Sequence, residues 1–298
     1  MSVYPSVSKS VFRSVLKSLR LPPAMVGETI FPLDDPTGDP ISGSYFVNSN
    51  GRYIANSNND WLIQPDSFSP TDISNLVLWL RADDVGLSDG ATVTTWTSRE
   101  GSSFAFTQAT AGKKPTYVAS SSINSQPAVS FDGGDLLAVA SVVTVANVGT
   151  IAVICRRSGD SNYQTLYGQC QGNGTSYMPF YHRYSSAKLA FESNATGNAQ
   201  ASQTTSTGSN DFCIVQSSGT AITMRKNGVD QTVTDGSSGA WFADNNFANS
   251  SIGGLKYDVA NDVFFFTGLI AEVLIYDRKI TSQEIADLES YVLARYAI

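Results

Sequence analysis

One histidine, three cysteines and little charge leave this chain few of the side chains from which active centres are built. Cys155, Cys170 and Cys213 are an odd set with no paired spacing, which gives neither a disulfide framework nor a zinc signature. Cys155 closes the apolar run Thr150-Ile-Ala-Val-Ile-Cys155, which predicts a buried thiol, and all three cysteines are expected to be reduced. No apolar run approaches the roughly 18–20 residues that a membrane-spanning helix needs, so no span is expected. The first residues hold no continuous apolar stretch followed by a small-residue cleavage site. A secretory signal is therefore not expected, and assembly in a cytoplasm is. His182, in Tyr181-His-Arg-Tyr184, is too isolated to mark a catalytic base; its expected place is a loop or a strand surface. No P-loop, nucleophile motif or metal cluster occurs, and no cofactor is expected.

What is present favours strands. Hydrophobic residues make up 42% of the chain against 15% charged, and Ser, Thr, Asn and Gly fill the difference. That mixture suits strands joined by polar turns, not a helical bundle, and it argues against long charged disordered segments. The net charge of −7 is unevenly placed. Residues 1–27 hold Lys9, Arg13, Lys17 and Arg20 and no acid, so taking this +4 from −7 leaves −11 on residues 28–298. A body this acidic is a poor partner for nucleic acid, whose phosphates need clustered Lys and Arg.

Three segments follow from the pattern. In residues 1–27, Val7, Val11, Phe12, Val15, Leu16 and Leu19 recur at spacings of three and four, with Lys9, Arg13 and Lys17 on much of the remaining face. This predicts a basic amphipathic helix stopped by Pro22-Pro23. Such a helix packs on its own domain, lies on a membrane surface, or docks on a protein partner; the last is the expectation. Residues 28–75 begin with a turn-rich linker through Asp34-Asp35-Pro36 and Gly38-Asp39-Pro40. A repeat of period eight follows, opening at Tyr45, Tyr53 and Trp61, each time with a strand-like start and an Asn-rich or polar close. It predicts a small meander that needs support from elsewhere.

Residues 76–298 read as a large antiparallel sandwich. Strand-like runs recur at 76–80, 93–96, 128–131, 150–155, 188–191, 212–216, 222–226 and 264–276, the last broken near Gly268. Asn227-Gly228 between two such runs predicts a tight hairpin, because both turn positions must accept positive φ. Thr281 and Glu284 predict a capping box for a C-terminal helix whose apolar face is Ile285, Leu288, Val292 and Tyr296. The face of Glu272 is open, because its parity with Ile270 depends on whether a bulge intervenes.

The order of these motifs carries a resemblance. Leu76-Val-Leu-Trp-Leu-Arg-Ala-Asp83 and Asp89-Gly-Ala-Thr-Val-Thr-Thr-Trp96 open the region. Lys114-Pro-Thr-Tyr117 and Gln126-Pro-Ala-Val-Ser-Phe-Asp-Gly133 come next, and Phe266-Thr-Gly-Leu-Ile-Ala-Glu-Val-Leu-Ile-Tyr-Asp-Arg278 closes it before the capped helix. Residues 76–298 resemble the laminin-G-like, concanavalin-A-like jelly-roll family. The resemblance implies a mainly β antiparallel jelly-roll sandwich with an N-terminal helix, linker and meander extension and a C-terminal helix. It further implies a ligand-binding or structural domain of the sort found in secreted bacterial proteins and phage virions. Residues 1–75 have no counterpart in it.

The glucanases that share this architecture are similar in a Glu-x-Asp-x-x-Glu strand, which sets two carboxylates about 5–5.5 Å apart on one face. This sequence lacks that strand, and Glu284, Asp287 and Glu289 fall on the helix instead. Catalysis is therefore not expected. Trp79 and Trp96 alternate with apolar neighbours and are expected in the core. Tyr177, Tyr181, Tyr184 and Trp241, with Asn245 and Asn246, fall in polar, loop-like stretches and are the candidates for stacking on and hydrogen-bonding a cell-surface glycan. Calcium is common at the rim of the family's sandwiches; Asp132 and Asp135 would supply oxygens to it, or else simply shape a turn. Together these readings lead to the expectation of a homo-oligomeric or multi-copy bacteriophage virion component, a tail fibre, adhesin or head-decoration protein. Its N-terminus would bind other virion proteins. The alternatives are a purely structural cement protein, a carbohydrate-active hydrolase or lyase, and a secreted lectin.

Overall fold

The computed structural model describes strands at 30–31, 45–48, 51–55 and 61–64. It also describes residues 68–298 apart from 101–103, 145, 160–162, 174–175, 184–187, 194–196, 205–206, 237, 243–246 and 259–260. The chain divides into two compact units, Met1–Phe68 and Ser69–Ile298. In the first, Ile30–Phe31, Tyr45–Asn48, Gly51–Ala55 and Trp61–Gln64 pair in chain order as a four-stranded antiparallel sheet. The period-eight repeat thus becomes three successive strands of a meander. The docking segment, with Val7, Lys9, Val11, Phe12, Arg13, Val15, Leu16, Lys17 and Leu19, lies outside the described residues.

The second unit is a sandwich of a nine-stranded and an eight-stranded sheet, both antiparallel, around one apolar core. At the middle of the eight-stranded sheet, Gly149–Arg157 pairs with Asn210–Ser217 on one side and Thr267–Tyr276 on the other. Its run Ile151 to Cys155 is fully buried, because both faces of this sheet are covered. Ile151, Val153 and Cys155 enter the core, while Ala152 and Ile154 point the other way. A continuous apolar strand is what burial on two faces demands.

The covering layer on the outer face is the helix Ser282–Tyr296, which starts with the expected capping box of Thr281 and Glu284. It buries Leu288, Val292 and Tyr296 and leaves Ile285 half-buried. An ion pair of 2.5 Å between Arg225 and Glu289 ties it to the strand Ile222–Lys226.

A bulge settles the face of Glu272. Ile154 is opposite Glu272, but Cys155 is opposite Ile270, so Ala271 is the extra residue and parity flips across it. Ile270, Val273 and Ile275 stay in the core, and Glu272 turns out beneath the helix. There its carboxylate, fully buried, accepts from Trp79 Nε1, from Tyr291 Oη at 3.0 Å and from Tyr296 Oη at 2.6 Å. Trp79 and Trp96 are both buried, as expected.

Other strand expectations need correction. Gly268 does not break the last strand; it lies inside Thr267–Tyr276. Its φ of +148°, and the Arg156 carbonyl oxygen where a Cβ would stand, require glycine there. The interruption comes earlier, where Phe264 takes φ +56° after the short strand Asp262–Val263. Asn227 and Gly228, at φ +46° and +77°, make the predicted turn, but only Val229–Asp230 continues that hairpin. Val233–Asp235 crosses to the nine-stranded sheet and pairs with Gly197–Thr204.

Candidate functional site

The outer face of the nine-stranded sheet holds the candidate site. Tyr163–Cys170, Tyr177–Arg183 and Lys188–Ser193 are neighbouring strands there, where polar composition suggested loops around Tyr177 and Tyr181. Alternation assigns the faces. Leu166, Met178, Phe180, Leu189 and Phe191 belong to the core, so Tyr177, Tyr181 and Glu192 look outward. Register places Tyr181 opposite Ala190 and Thr165, which sets Tyr181 and Glu192 on a diagonal of one face. The Tyr181 hydroxyl donates to Glu192 Oε2, and the charge of this carboxylate acts on the Tyr177 phenol. Burial first, then the negative charge of Glu192, pushes the Tyr177 phenol up from its ordinary value.

The remaining wall comes from far along the chain. Leu255–Lys256 and Asp262–Val263 form a two-stranded ribbon, and Leu255 lies over the Cα of Gly168, where any Cβ would strike its Cδ1 at 2.8 Å. Cys170 Sγ donates to the Tyr257 carbonyl at 2.9 Å, and the Thr165 amide donates to the Phe264 carbonyl at 2.9 Å. These bonds bring Tyr257 and Phe264 onto the tyrosine face. Ring centroids stand 4.9 Å apart for Tyr163 and Phe264, 5.5 Å for Tyr163 and Tyr181, and 5.5 Å for Tyr177 and Tyr257. Tyr163, Tyr177, Tyr257, Phe264 and Glu192 are all half-buried. Each aromatic thus keeps part of its surface toward solvent, beside a carboxylate already held by the Tyr181 hydroxyl. Phe264 holds a left-handed backbone that a bulky side chain rarely adopts, a strain of about 1–3 kcal/mol that the surrounding structure must sustain.

Of the sequence candidates, Tyr177 is in the site with part of its ring open. Tyr181 is there too, but its ring is fully buried and only its hydroxyl takes part, through Glu192. Trp241 is not a platform: it is fully buried in the core, stacked on Phe191 at 4.8 Å and edge-on to Phe242 at 5.1 Å. Tyr184, Asn245 and Asn246 lie outside the described residues. Composition missed Tyr163, Glu192, Tyr257 and Phe264. Glu192 was within reach, since it follows Leu189 and Phe191 at the opposite parity of a predicted strand. Tyr257 and Phe264 carry no local signal, because only the fold of the ribbon delivers them.

Asp132 and Asp135 sit in the turn after Ala128–Asp132. Asp135 Oδ2 accepts the Asp132 amide at 3.0 Å, and Asp132 Oδ1 accepts the Gly134 amide at 2.8 Å. Both carboxylates therefore serve backbone N–H groups, an arrangement that fits a hydrogen-bonded turn; a calcium ion asks for six to eight oxygens. Burial, reinforced by Asp132, pushes the Asp135 carboxyl up to about 6 against the pull of its backbone hydrogen bond.

His182, expected at a surface, is fully buried, because its parity on Tyr177–Arg183 points it into the sandwich. Desolvation, helped by the charges of Arg157 and Lys226, lowers its pKa to about 3, so the imidazole is neutral near neutral pH.

The family profile described as Concanavalin A-like lectin/glucanases superfamily matches residues 131–286. Among solved structures, domain 4 of AbnA, a GH43 extracellular arabinanase from Geobacillus stearothermophilus in complex with arabinotriose, is 15% identical with a TM-score of 0.50, covering 72% of this chain and 98% of that one. The Ruminococcus gnavus IT-sialidase CBM40 bound to α2,3-sialyllactose is 13% identical with a TM-score of 0.42, covering 48% of this chain and 82% of that one. A mutant of NanB sialidase from Streptococcus pneumoniae is 14% identical with a TM-score of 0.45 over 53% of this chain; the match spans only 27% of the NanB chain. No curated protein matches the sequence.

Proposed function

This chain belongs to the concanavalin A-like lectin/glucanase superfamily, and from that footing we propose that its sandwich is a glycan-binding module that does not cleave its ligand. The observation that carries the reading is the half-open group of Tyr163, Tyr177, Tyr257 and Phe264 beside Glu192. Aromatic faces meet the apolar C–H face of a sugar ring, and a fixed carboxylate accepts from its hydroxyls. The arabinanase domain and this chain share a fold; the choice of a glycan here rests on the aromatic group. Binding without cleavage is supported by the state of the carboxylates. Glu192 lies on the aromatic face of one sheet, whereas Glu272 is fully buried under the helix on the other with three donors, so the two do not make an acid–nucleophile pair.

Tyr177→Ala tests this directly. Wild-type protein is expected to bind one or more members of a bacterial surface glycan array, and the variant to lose at least about tenfold in affinity, roughly 1.4 kcal/mol, with its unfolding midpoint little changed. Unaltered binding by the variant refutes the site. New reducing ends released from a bound polysaccharide refute the non-catalytic reading.

The finer reading is a virion component displayed in several copies, so that weak contacts add by avidity. Charge asymmetry supports it, since residues 1–27 are purely basic beside an acidic body. Deleting residues 1–27 is expected to abolish incorporation into particles while the sandwich stays folded. Full incorporation of the truncated protein overturns this reading.

A further inference from the structure

Cys155, His182 and Cys213 meet in the core although they come from three strands of two sheets. Val153 is opposite Cys213 and Cys155 is opposite Asp211, so the two cysteines share the inner face on a diagonal of neighbouring strands. His182 approaches from the facing sheet, with Nε2 3.6 Å from Cys155 Sγ. All three are fully buried, and their candidate ligand atoms lie within 4.8 Å of one another. We propose that Cys155, His182 and Cys213 form a closed, three-coordinate site for copper(I) between the two sheets.

The spacing of Cys155 and His182 fits a shared ion. With metal–sulfur and metal–nitrogen bonds of about 2.3 and 2.0–2.1 Å, a sulfur and a nitrogen on one tetrahedral or trigonal centre stand about 3.5–3.8 Å apart. Among the described residues no protein oxygen holds the imidazole: Nδ1 is buried with no hydrogen-bond partner among them, and the ring rests on Phe266 at a centroid distance of 6.5 Å. Such a buried polar ring is costly unless something engages it.

Ligand type and number select the ion. Thiolate with imidazole is a soft set, suited to copper(I) or zinc. Zinc asks for a fourth ligand, and among the described residues the group supplies three. A thiol that coordinates a cation gives up its proton.

Because the group is closed to solvent, the ion enters as the chain folds. Full-length protein is refolded anaerobically with copper(I), then challenged with a chromophoric copper(I) chelator. One ion per chain is expected to be retained, with a later unfolding midpoint than the metal-free protein. Cys170→Ser keeps this behaviour, while Cys155→Ala and Cys213→Ala each weaken retention by at least about 10–100-fold. Should those variants not fold, X-ray absorption of the copper-loaded wild type gives an independent reading, and two sulfurs with one nitrogen on copper are expected. The proposal is overturned by no retained copper, by equal retention in the cysteine variants, by displacement of copper by zinc, or by a coordination shell without sulfur. Any of these leaves Cys155 and His182 as a plain S–H···N contact.

Discussion

Replacing Glu272 by alanine is expected to destabilise the sandwich by about 2–6 kcal/mol. The carboxylate is the shared acceptor of Trp79 Nε1, Tyr291 Oη and Tyr296 Oη. Trp79 and Tyr296 are 4% and 1% exposed, so neither donor can turn to water once the acceptor is gone. Each buried donor left without a partner costs about 1–3 kcal/mol, and two of them set the range. Tyr291 is only half-buried and can be hydrated. Glu272→Gln has a different outcome. The amide oxygen accepts from Trp79, its NH₂ donates to a phenol oxygen, and no charge is buried. Its sign with pH follows from the direction of the carboxyl's shift. Burial raises the Glu272 pKa above the ordinary 4.5 and outweighs the lowering by Tyr296, Trp79 and Tyr291. A raised folded-state pKa makes the wild type most stable below the unfolded value, and that contribution is lost as pH rises through the folded pKa. Glu272→Gln lacks this loss and should gain on the wild type across the same window. Urea unfolding followed by tryptophan fluorescence at several pH values measures both effects. A loss under about 1 kcal/mol in Glu272→Ala, or a wild type that gains on Glu272→Gln as pH rises, refutes the account.

Two further outcomes follow from particular contacts. Gly268→Ala puts a Cβ against the Arg156 carbonyl oxygen and 3.0 Å from the Arg157 Cα, at a φ of +148°. A loss above about 2 kcal/mol is expected in the same urea assay, and a neutral result would mean that the strand can shift there at little cost. Glu284 behaves opposite to Glu272: Arg278 first, then the Thr281 amide and hydroxyl, hold its pKa down to about 2 against burial. Its stabilisation is present above the ordinary 4.5 and is lost as pH falls toward about 2, so the advantage of wild type over Glu284→Gln should shrink on acidification. An advantage that grows on acidification would contradict it.

Much of the fold was legible because it is written in local terms. The helix cap needs only Thr281 and Glu284 three residues apart, and the hairpin turn needs only Asn227 and Gly228. The Gly149–Arg157 strand announced itself as an apolar run. The strands around Tyr177 and Tyr181 did not, because their outward residues are polar and turn-like, and a two-residue alternation is weak beside composition. Glu272 could not be placed for a related reason. A one-residue bulge at Ala271 reverses every face beyond it, and a bulge leaves no fixed mark in sequence.

By itself, then, the order of residues determined the class of architecture, its capped closing helix and the charge contrast between the two ends, since each depends on neighbours a few positions apart. Only the tertiary structure decided what shares a face. It turned Trp241 and His182 inward, carried Tyr257 and Phe264 across to Tyr177, and set His182 of one sheet against Cys155 of the other. Such meetings join residues tens of positions apart, and they are fixed by strand register and sheet packing, quantities that a period-two pattern constrains only in parity.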